Sequence, residues 1–199
     1  MQTDPMSASA GGLSALLTRA REAGGGRGPA PVDAWEPPDC GAIPMRIAAD
    51  GTWFYMGSPI GREAMVRLFA SVLRRDADGI TYLVTPVEKC AIQVDDAPFV
   101  AVELHVEGAG VEQRLTLRTN VGDIVEAGPL HPLRFEIDPG NAGVRPYLHV
   151  RGRLEARLNR AVTHQLMESC VDHRVDGADW VGIWAGGAFF PILPVGQVR

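Results

Sequence analysis

The sequence contains little lysine and little cysteine, and it has no long apolar run. Each of these shortages bears on which classes of protein and which kinds of site are expected. No apolar run approaches the roughly 20 residues that a membrane-spanning helix needs. The first residues carry neither the basic cluster nor the apolar core of a signal peptide. These absences predict a cytoplasmic protein without a membrane anchor. The rest is ordinary: 199 residues, 46% hydrophobic and 22% charged, a composition typical of globular chains that excludes a mostly disordered one.

Acidic residues outnumber basic ones, 24 to 19. The formal net charge is −5, so the overall field repels nucleic acid and anionic membranes, and neither is expected as a partner. The 19 basic residues include a single lysine, Lys89. Lysine and arginine differ in shape and in the ease with which their charge is lost. A lone lysine is therefore either a chance survivor in an arginine-rich chain or a residue that arginine cannot replace.

The three cysteines do not form a recognisable framework. Cys40, Cys90 and Cys170 lie far apart, their number is odd, and the chain contains no C-x-x-C pair. This pattern argues against both a disulfide framework and a zinc site. We expect three inert, partly buried thiols.

Catalytic and metal-binding motifs are missing too. The chain has no G-x-G-x-x-G, P-loop, G-x-S-x-G or H-E-x-x-H pattern. His164 and Glu168, one helical turn apart, are interpreted as a surface pair rather than as metal ligands together with His173. Asp95-Asp96 is interpreted as part of a turn, because adjacent residues of a strand point to opposite faces. We therefore predict no catalytic residue, no metal ligand and no cofactor, and an enzyme is not the favoured interpretation.

The first 31 residues are predicted to form a flexible arm, 1–31. Apolar residues at helical spacing predict a short helix over residues 9–21. A Gly/Pro-rich stretch over residues 24–31 follows and has the composition of a flexible linker.

The rest of the chain is predicted to be an α+β protein of two related domains, 32–86 and 87–199. Helical periodicity predicts one helix over residues 58–75 and another over residues 154–171. An aromatic strand precedes each helix and another strand follows it, which indicates a duplicated strand-helix-strand unit. Between residues 88 and 137, short strand-like runs separated by turns favour an antiparallel sheet that curls toward a barrel. The C-terminal domain is thus predicted to combine a curled sheet with a helix.

Arginines supply the most suggestive pattern. Arg153, Arg157, Arg160 and His164 follow at steps of four, three and four, so they line one face of the second predicted helix, with Arg151 just before it. The first predicted helix carries arginines of its own. Arginine forks suit phosphate and carboxylate groups. The alternative is a solvated face whose charge is neutralised by neighbouring glutamates.

The loop from Thr85 to Lys89 joins the two predicted domains. Its Glu88 and Lys89 form either an internal salt bridge or part of a pocket wall. The residues alone do not decide between the two.

Several stretches resemble a known family. They are residues 50–55 (Asp-Gly-Thr-Trp-Phe-Tyr), 57–60, 83–89, 96–99, 119–120, 146–147, 150–151, 154–157 and 186–190. Together they resemble an uncharacterised proteobacterial family, domain of unknown function 1285, over roughly residues 35 to 191. The resemblance implies a duplicated α+β core whose C-terminal half is superficially like a pleckstrin-homology fold. It also implies a ligand site between the halves, suited to a nucleotide-like molecule, and a role in signal transduction.

These observations combine into one favoured function and two alternatives. The favoured function is a regulatory or signalling protein that binds a small anionic ligand, with a nucleotide as one candidate, in the cleft between the domains. The alternatives are a protein–protein adaptor and, less favoured, an enzyme that acts on a phosphorylated substrate. The candidate ligand-binding residues are Arg62, Thr85, Glu88, Lys89, Asn120, Tyr147, Arg151, Arg157 and Arg160.

Overall fold

The computed structural model describes residues 8–23, 28–138, 140 and 143–197. These residues form a mixed α+β protein that consists mostly of β-sheet. The helices are α1 (Ala8–Ala23), α2 (Glu63–Ser71) and α3 (Arg160–Glu168). None of the described helices is long and apolar enough to cross a membrane. The chain divides into two compact units, which we call unit 1 (Met1–Asp96) and unit 2 (Ala97–Arg199).

Unit 1 is built on a six-stranded sheet. Its strands are β1 (Asp39–Ile47), β2 (Trp53–Tyr55), β3 (Ser58–Pro59), β4 (Leu73–Arg75), β5 (Thr81–Val84) and β6 (Lys89–Val94). Their order in the sheet is β3-β2-β1-β6-β5-β4. Each group of three is an antiparallel meander, and β1 pairs in parallel with β6 to join the two meanders. The turn between β1 and β2 lies at Asp50-Gly51, a dipeptide typical of tight hairpins.

Unit 2 contains a second six-stranded sheet and a smaller three-stranded one. The strands are β7 (Phe99–Glu107), β8 (Arg114–Thr119), β9 (Ile124–Glu126), β10 (Leu133–Ile137), β11 (Val144–Arg151), β12 (Leu154–Leu158), β13 (Val171–Val175), β14 (Ala178–Ala185) and β15 (Ala188–Pro194). The large sheet has the order β10-β11-β12-β7-β8-β9, and the small one the order β13-β14-β15. In the large sheet β7 pairs in parallel with β12.

The predicted duplication is confirmed, but the repeated element is the sheet. In both units the first strand of one antiparallel meander pairs in parallel with the last strand of the next. The helices do not follow this repeat. α2 lies between the two meanders of unit 1, whereas α3 comes after both meanders of unit 2. The strand-helix-strand passages that suggested the duplication are therefore not its structural basis.

The second predicted helix, over residues 154–171, is wrong in its first part. Residues 154–158 form strand β12, in which Leu154, Ala156 and Leu158 are buried while the residues between them are only partly covered. Spacing by four satisfies both a helix and an alternating strand, so Leu154 and Leu158 fitted either pattern. α3 begins only after Asn159, whose Oδ1 accepts a hydrogen bond from the Val162 N–H at 2.8 Å.

The first predicted helix, over residues 58–75, is also too long. Ser58 and Pro59 pair with β2 as the short strand β3, so they do not begin a helix. Pro59 is tolerated because β3 lies at the edge of the sheet, where a missing N–H breaks no ladder. α2 ends at Ser71, and Leu73 already belongs to β4.

The N-terminal segment packs on unit 1 as far as it is described. α1 lies against α2, and Ala20 is buried to 2% exposure. Residues 1–7 of the predicted arm and residues 24–27 of the predicted linker lie outside the described residues. The structure moves the domain boundary from 86/87 to 96/97, because β6 completes the sheet of unit 1.

The prediction of three free thiols is wrong for two of them. Cys40 and Cys90 form a disulfide, with their Cα atoms 5.3 Å apart. They lie on β1 and β6, whose parallel pairing brings together residues that are 50 positions apart in the chain. The spacing of cysteines in the sequence cannot predict a disulfide that depends on the pairing of distant strands. Cys170 is a free, half-buried thiol, and its burial raises its pKa to about 11.

Candidate ligand-binding site

A cavity of about 480 Å³ opens on unit 1 beside the start of α2. Its walls come from α1, from the turn between β2 and β3, and from the segment that leads into α2. The lining residues are Leu13, Tyr55, Met56, Ser58, Pro59, Ile60, Gly61, Arg62 and Met65. The volume lies in the range of small-molecule sites, which is roughly 300–1,000 Å³.

A tight turn shapes the floor of this cavity. Met56 and Gly57 both have positive φ angles, 49° and 78°, and join the paired residues Tyr55 and Ser58. Glycine adopts a positive φ angle without a steric penalty. Positive φ angles at both central residues give the turn a twist that matches the two strands of a two-residue hairpin. The Ile60 N–H then donates to the Trp53 carbonyl at 2.8 Å, which holds the following segment close to β2.

Helix α1 forms the opposite wall. It approaches β2 so closely that a Cβ atom at Gly12 would lie 2.9 Å from the Tyr55 hydroxyl oxygen. Leu13, the next residue, lines the cavity. Farther along the helix, Arg19 forms an ion pair with Glu88. α1 therefore contacts unit 1 near Gly12 and again at Arg19.

The cavity combines an apolar lining with one cationic group. Arg62 is exposed, directly precedes α2, and takes no part in an ion pair with another described residue; the neighbouring Glu63 pairs with Arg67 instead. The N-terminal end of a helix also favours negative charge. This arrangement suits a small anion with an apolar body.

A second, larger cavity of about 650 Å³ lies over β1, β2 and β6. Its one basic lining residue, Arg46, is already engaged. The Arg46 guanidinium pairs with Asp95 at 2.7 Å and lies over the Phe54 ring at 4.8 Å. It offers less to an anion than Arg62 does.

The other candidate residues of unit 1 have structural contacts. The Thr85 side-chain oxygen accepts weak hydrogen bonds from the N–H groups of Val87 and Glu88, which shape the turn between β5 and β6. Glu88 pairs with Arg19 of α1. Lys89 donates to Asp76 at 2.9 Å, and its ammonium lies 4.5 Å from the centre of the Tyr82 ring.

Asp76 is the centre of that last cluster. Burial by itself would raise the pKa of Asp76, but hydrogen bonds from Arg74 and Lys89 outweigh it and hold that pKa below its ordinary value. The same hydrogen bond raises the pKa of Lys89. The lone lysine therefore takes part in an internal ion-pair cluster of unit 1.

Three candidate residues of unit 2 also make defined contacts. The Asn120 Oδ1 accepts from the Val100 N–H at 3.0 Å. Tyr147 is buried to 2% exposure beneath the guanidinium of Arg134, 4.2 Å from its ring centre. Arg151 pairs with Asp123 at 2.7 Å and lies 4.9 Å above the Phe99 ring.

The predicted arginine-lined helical face does not exist. Arg157 lies on β12 opposite Tyr147, Arg153 lies in the turn between β11 and β12, and Arg160 is the first residue of α3. The chain between Arg157 and Arg160 changes from strand to helix, so their three-residue spacing does not align them. On α3 itself His164 faces Glu168 at 3.4 Å, both exposed. The predicted ligand site between the halves stays a prediction.

Most of the cavity lining was not predicted. Met56, Ile60 and Met65 were given no ligand role, and Arg62 was the one candidate residue that lines the cavity. Gly57 was the local signal available in the sequence, since glycine readily adopts the positive φ angle that the turn before β3 requires. The contribution of Leu13 could not be predicted, because α1 reaches β2 only through tertiary packing.

Two family models match the chain. One, the N-terminal domain of DUF1285, a domain of unknown function, matches residues 30–97. The other, the C-terminal domain of DUF1285, a protein of unknown function, matches residues 98–192. The chain belongs to the DUF1285 family. The resemblance recognised in the sequence is thus confirmed, and the two DUF1285 domains meet within one residue of the division between units 1 and 2.

Two solved structures of DUF1285 proteins are similar to this chain. One, from Silicibacter pomeroyi DSS-3, shares 50% identity over 92% of this chain and 97% of its own, with a TM-score of 0.82. The other, from Shewanella baltica OS155, shares 27% identity over 64% of this chain and 92% of its own, with a TM-score of 0.50. No protein with a curated description matches the chain.

Proposed function

We propose that this DUF1285 protein is a regulatory binding module for a small organic anion, which it takes up in the cavity beside Arg62. One observation carries the proposal: a cavity of about 480 Å³ combines a largely apolar lining with a guanidinium that makes no ion pair within the described structure. An apolar body would displace water from Met56, Ile60 and Met65, which stabilises a complex by about 25 cal/mol per Å² of buried apolar surface. A carboxylate or phosphate would then accept from Arg62.

The lining favours an apolar acid over a nucleotide. A nucleobase is read by several donors and acceptors along its edge, and the cavity offers few polar side chains besides Arg62, namely Tyr55 and Ser58. The Tyr55 ring could stack on a planar group. An aromatic or aliphatic carboxylate uses the apolar walls and the guanidinium together, and it leaves no polar edge unpaired.

Isothermal titration calorimetry with three probes tests the site. The probes are decanoate, 1-naphthylacetate and guanosine monophosphate, which separate an aliphatic acid, an aromatic acid and a nucleotide. We expect saturable binding of at least one acid. Arg62→Gln should weaken that binding by about tenfold to a hundredfold, because a hydrogen bond to a charged group is lost.

Two matched variants separate the cavity from general surface charge. Arg67→Gln removes an exposed arginine that lies on α2 but pairs with Glu63, and this variant should bind the acid as the native chain does. A Cβ at Gly61 meets nothing within 4 Å, so Gly61→Leu should fill the cavity without strain and abolish binding. Unchanged binding in both Arg62→Gln and Gly61→Leu, or no binding of any probe, would show that this cavity is not the site.

A second candidate function is protein binding. It is favoured by the exposed strand β13 at the edge of the three-stranded sheet of unit 2. An exposed edge can accept a strand from another chain.

A further inference from the structure

The three-stranded sheet of unit 2 has an uncovered edge. In the order β13-β14-β15, β13 has no strand on its outer side within the described part of the chain. Four of its five residues are exposed, and Val175 is half-buried. Such an edge presents unpaired backbone N–H and C=O groups, which natural proteins normally cover or block.

The turn after β13 determines which backbone groups face outward. Asp176 and Gly177 have positive φ angles of 49° and 84°, as a two-residue type I′ turn requires. The turn joins the paired residues Val175 and Ala178. In such a hairpin the closing pair is hydrogen-bonded, and hydrogen-bonded and non-hydrogen-bonded pairs then alternate along the ladder.

This alternation divides the residues of β13 into two sets. Val171, His173 and Val175 direct their N–H and C=O groups toward β14. Asp172 and Arg174 direct theirs toward the open edge. The side chains alternate as well, so Asp172 and Arg174 lie on the same face of the sheet, two residues apart, with opposite charges.

The edge is complementary to itself. When two copies of β13 run antiparallel about a twofold axis at His173, Asp172 lies opposite the partner's Arg174, and Arg174 lies opposite the partner's Asp172. These are the residues with outward-facing backbone groups, so each pair can form two ladder hydrogen bonds. Opposite charges on facing residues stabilise an antiparallel pair. Val171 then meets the partner's Val175. We propose that the protein forms a twofold homodimer by antiparallel pairing of β13 with β13 of a second copy.

An aromatic cluster lies on the opposite face of the sheet from Asp172 and Arg174. The His173 ring lies 4.9 Å from the Trp184 ring and 4.7 Å from the Phe189 ring, measured between centroids. The Phe189 ring covers Gly182, where a Cβ would lie only 2.5 Å from Phe189 Cζ. His173 thus lies on the open edge and also contacts this cluster. Pairing of two β13 strands extends the ring-bearing face into one sheet of six strands.

A second copy fits this edge better than an unrelated strand does. The alternation of Asp172 and Arg174 selects a partner strand with arginine and aspartate in the opposite order at the same two-residue spacing. The antiparallel copy of β13 has that order by symmetry. In a closed twofold pair the β13 edge of each copy is covered by the β13 edge of the other. Association through this edge therefore ends at two chains and does not continue into a filament.

Charge reversal tests the pairing with the full chain. Sedimentation velocity over a wide concentration range should show a dimer for the native protein. Asp172→Arg places arginines opposite arginines, and Arg174→Asp places aspartates opposite aspartates. We expect each single variant to raise the dimer dissociation constant by about tenfold to a hundredfold, because like charges then face each other twice.

Two combinations of these substitutions test the pairing even when a single variant is poorly folded. An equimolar mixture of Asp172→Arg and Arg174→Asp should form a heterodimer, since every facing pair then has opposite charges. The double variant Asp172→Arg/Arg174→Asp should form a homodimer again. A native protein that stays monomeric, or single variants that dimerise as the native chain does, would overturn the proposal.

Backbone amide exchange, followed by NMR, provides an independent measurement. The amides of Asp172 and Arg174 should exchange more slowly as the protein concentration rises, because they bond to the partner strand only in the dimer. The His173 amide bonds to β14 in either state and should change far less. Concentration-independent exchange at both Asp172 and Arg174 in a protein that sediments as a dimer would mean that the dimer uses another surface.

Discussion

At the scale of single residues, Asp76 joins two basic side chains of unit 1. Its carboxylate accepts from Arg74 Nε at 2.6 Å and from Lys89 Nζ at 2.9 Å. Arg74 is buried to 9% exposure and donates further to the carbonyls of Val32 and Trp35, at 2.8 and 2.6 Å. The cluster therefore ties the segment before β1 to the β4 side of the sheet.

We expect Asp76→Asn to lower the free energy of unfolding by about 1–3 kcal/mol at pH 7, because a buried guanidinium loses its counter-charge. The folded-state pKa of Asp76 is depressed, so its contribution is present above its unfolded pKa of about 3.9 and is lost as the pH falls through the lower folded-state pKa. Urea denaturation at pH 7 and at pH 3 should show the difference between native and variant shrinking in acid. Glu63→Gln, which breaks an exposed pair, is the control and should cost at most about 0.5 kcal/mol. An equal difference at both pH values would contradict this account.

The candidate site illustrates what single residues in a sequence can reveal. Arg62 was predicted because arginine suits anions, and it lines the cavity. Lys89 was equally plausible by charge, and Glu88 was a candidate as part of a pocket wall. The ion pairs of Lys89 with Asp76 and of Glu88 with Arg19 give both a structural role. Charge type is visible in a sequence, whereas the nearest opposite charge depends on tertiary packing.

At the scale of secondary-structure elements, the Cys40–Cys90 disulfide joins β1 to β6. A cross-link that closes a loop of this length restricts the unfolded chain, and it should contribute about 2–4 kcal/mol to stability. We expect a phosphine reductant to lower the unfolding midpoint of the native protein. Differential scanning calorimetry with and without the reductant measures the change.

Two cysteine variants check that assignment. Cys40→Ala should unfold at the lower midpoint in both conditions, because it cannot form the bond. Cys170→Ala should keep the full response to the reductant, since Cys170 is free. A native protein whose midpoint does not respond to the reductant would show that the two thiols are not joined.

Elements whose pattern has one interpretation were predicted well, and ambiguous ones were not. The short strand-like runs expected between residues 88 and 137 occur as β6 to β10. Leu154 and Leu158 satisfied a helical ladder, yet they belong to β12, because the burial of Ala156 between them makes the true period two. β13 was missed because it is almost entirely exposed and so lacks an apolar alternation.

At the scale of the whole molecule, each unit contains all six strands of its own large sheet. In both, a parallel pair joins two antiparallel meanders: β1 with β6 in unit 1, and β7 with β12 in unit 2. The sequence could indicate two related halves, but it could not show where one sheet ends. Parallel strands that are far apart in the chain leave no local turn signal. This is why the predicted boundary at 86/87 separated β6 from the sheet to which it belongs.

The position of that boundary leads to the last prediction. A fragment of residues 97–199 contains both meanders of its large sheet and the fully buried Phe99, Leu117, Leu148 and Ile183. We expect it to unfold cooperatively by circular dichroism and to remain soluble. A fragment of residues 87–199 adds β6 without its neighbours β1 and β5, so it exposes an unpaired strand with Ile92, which is an edge prone to association. It should sediment as larger species at the same concentration and gain no stability. Cooperative folding of the 87–199 fragment together with failure of the 97–199 fragment would place β6 with the C-terminal half after all.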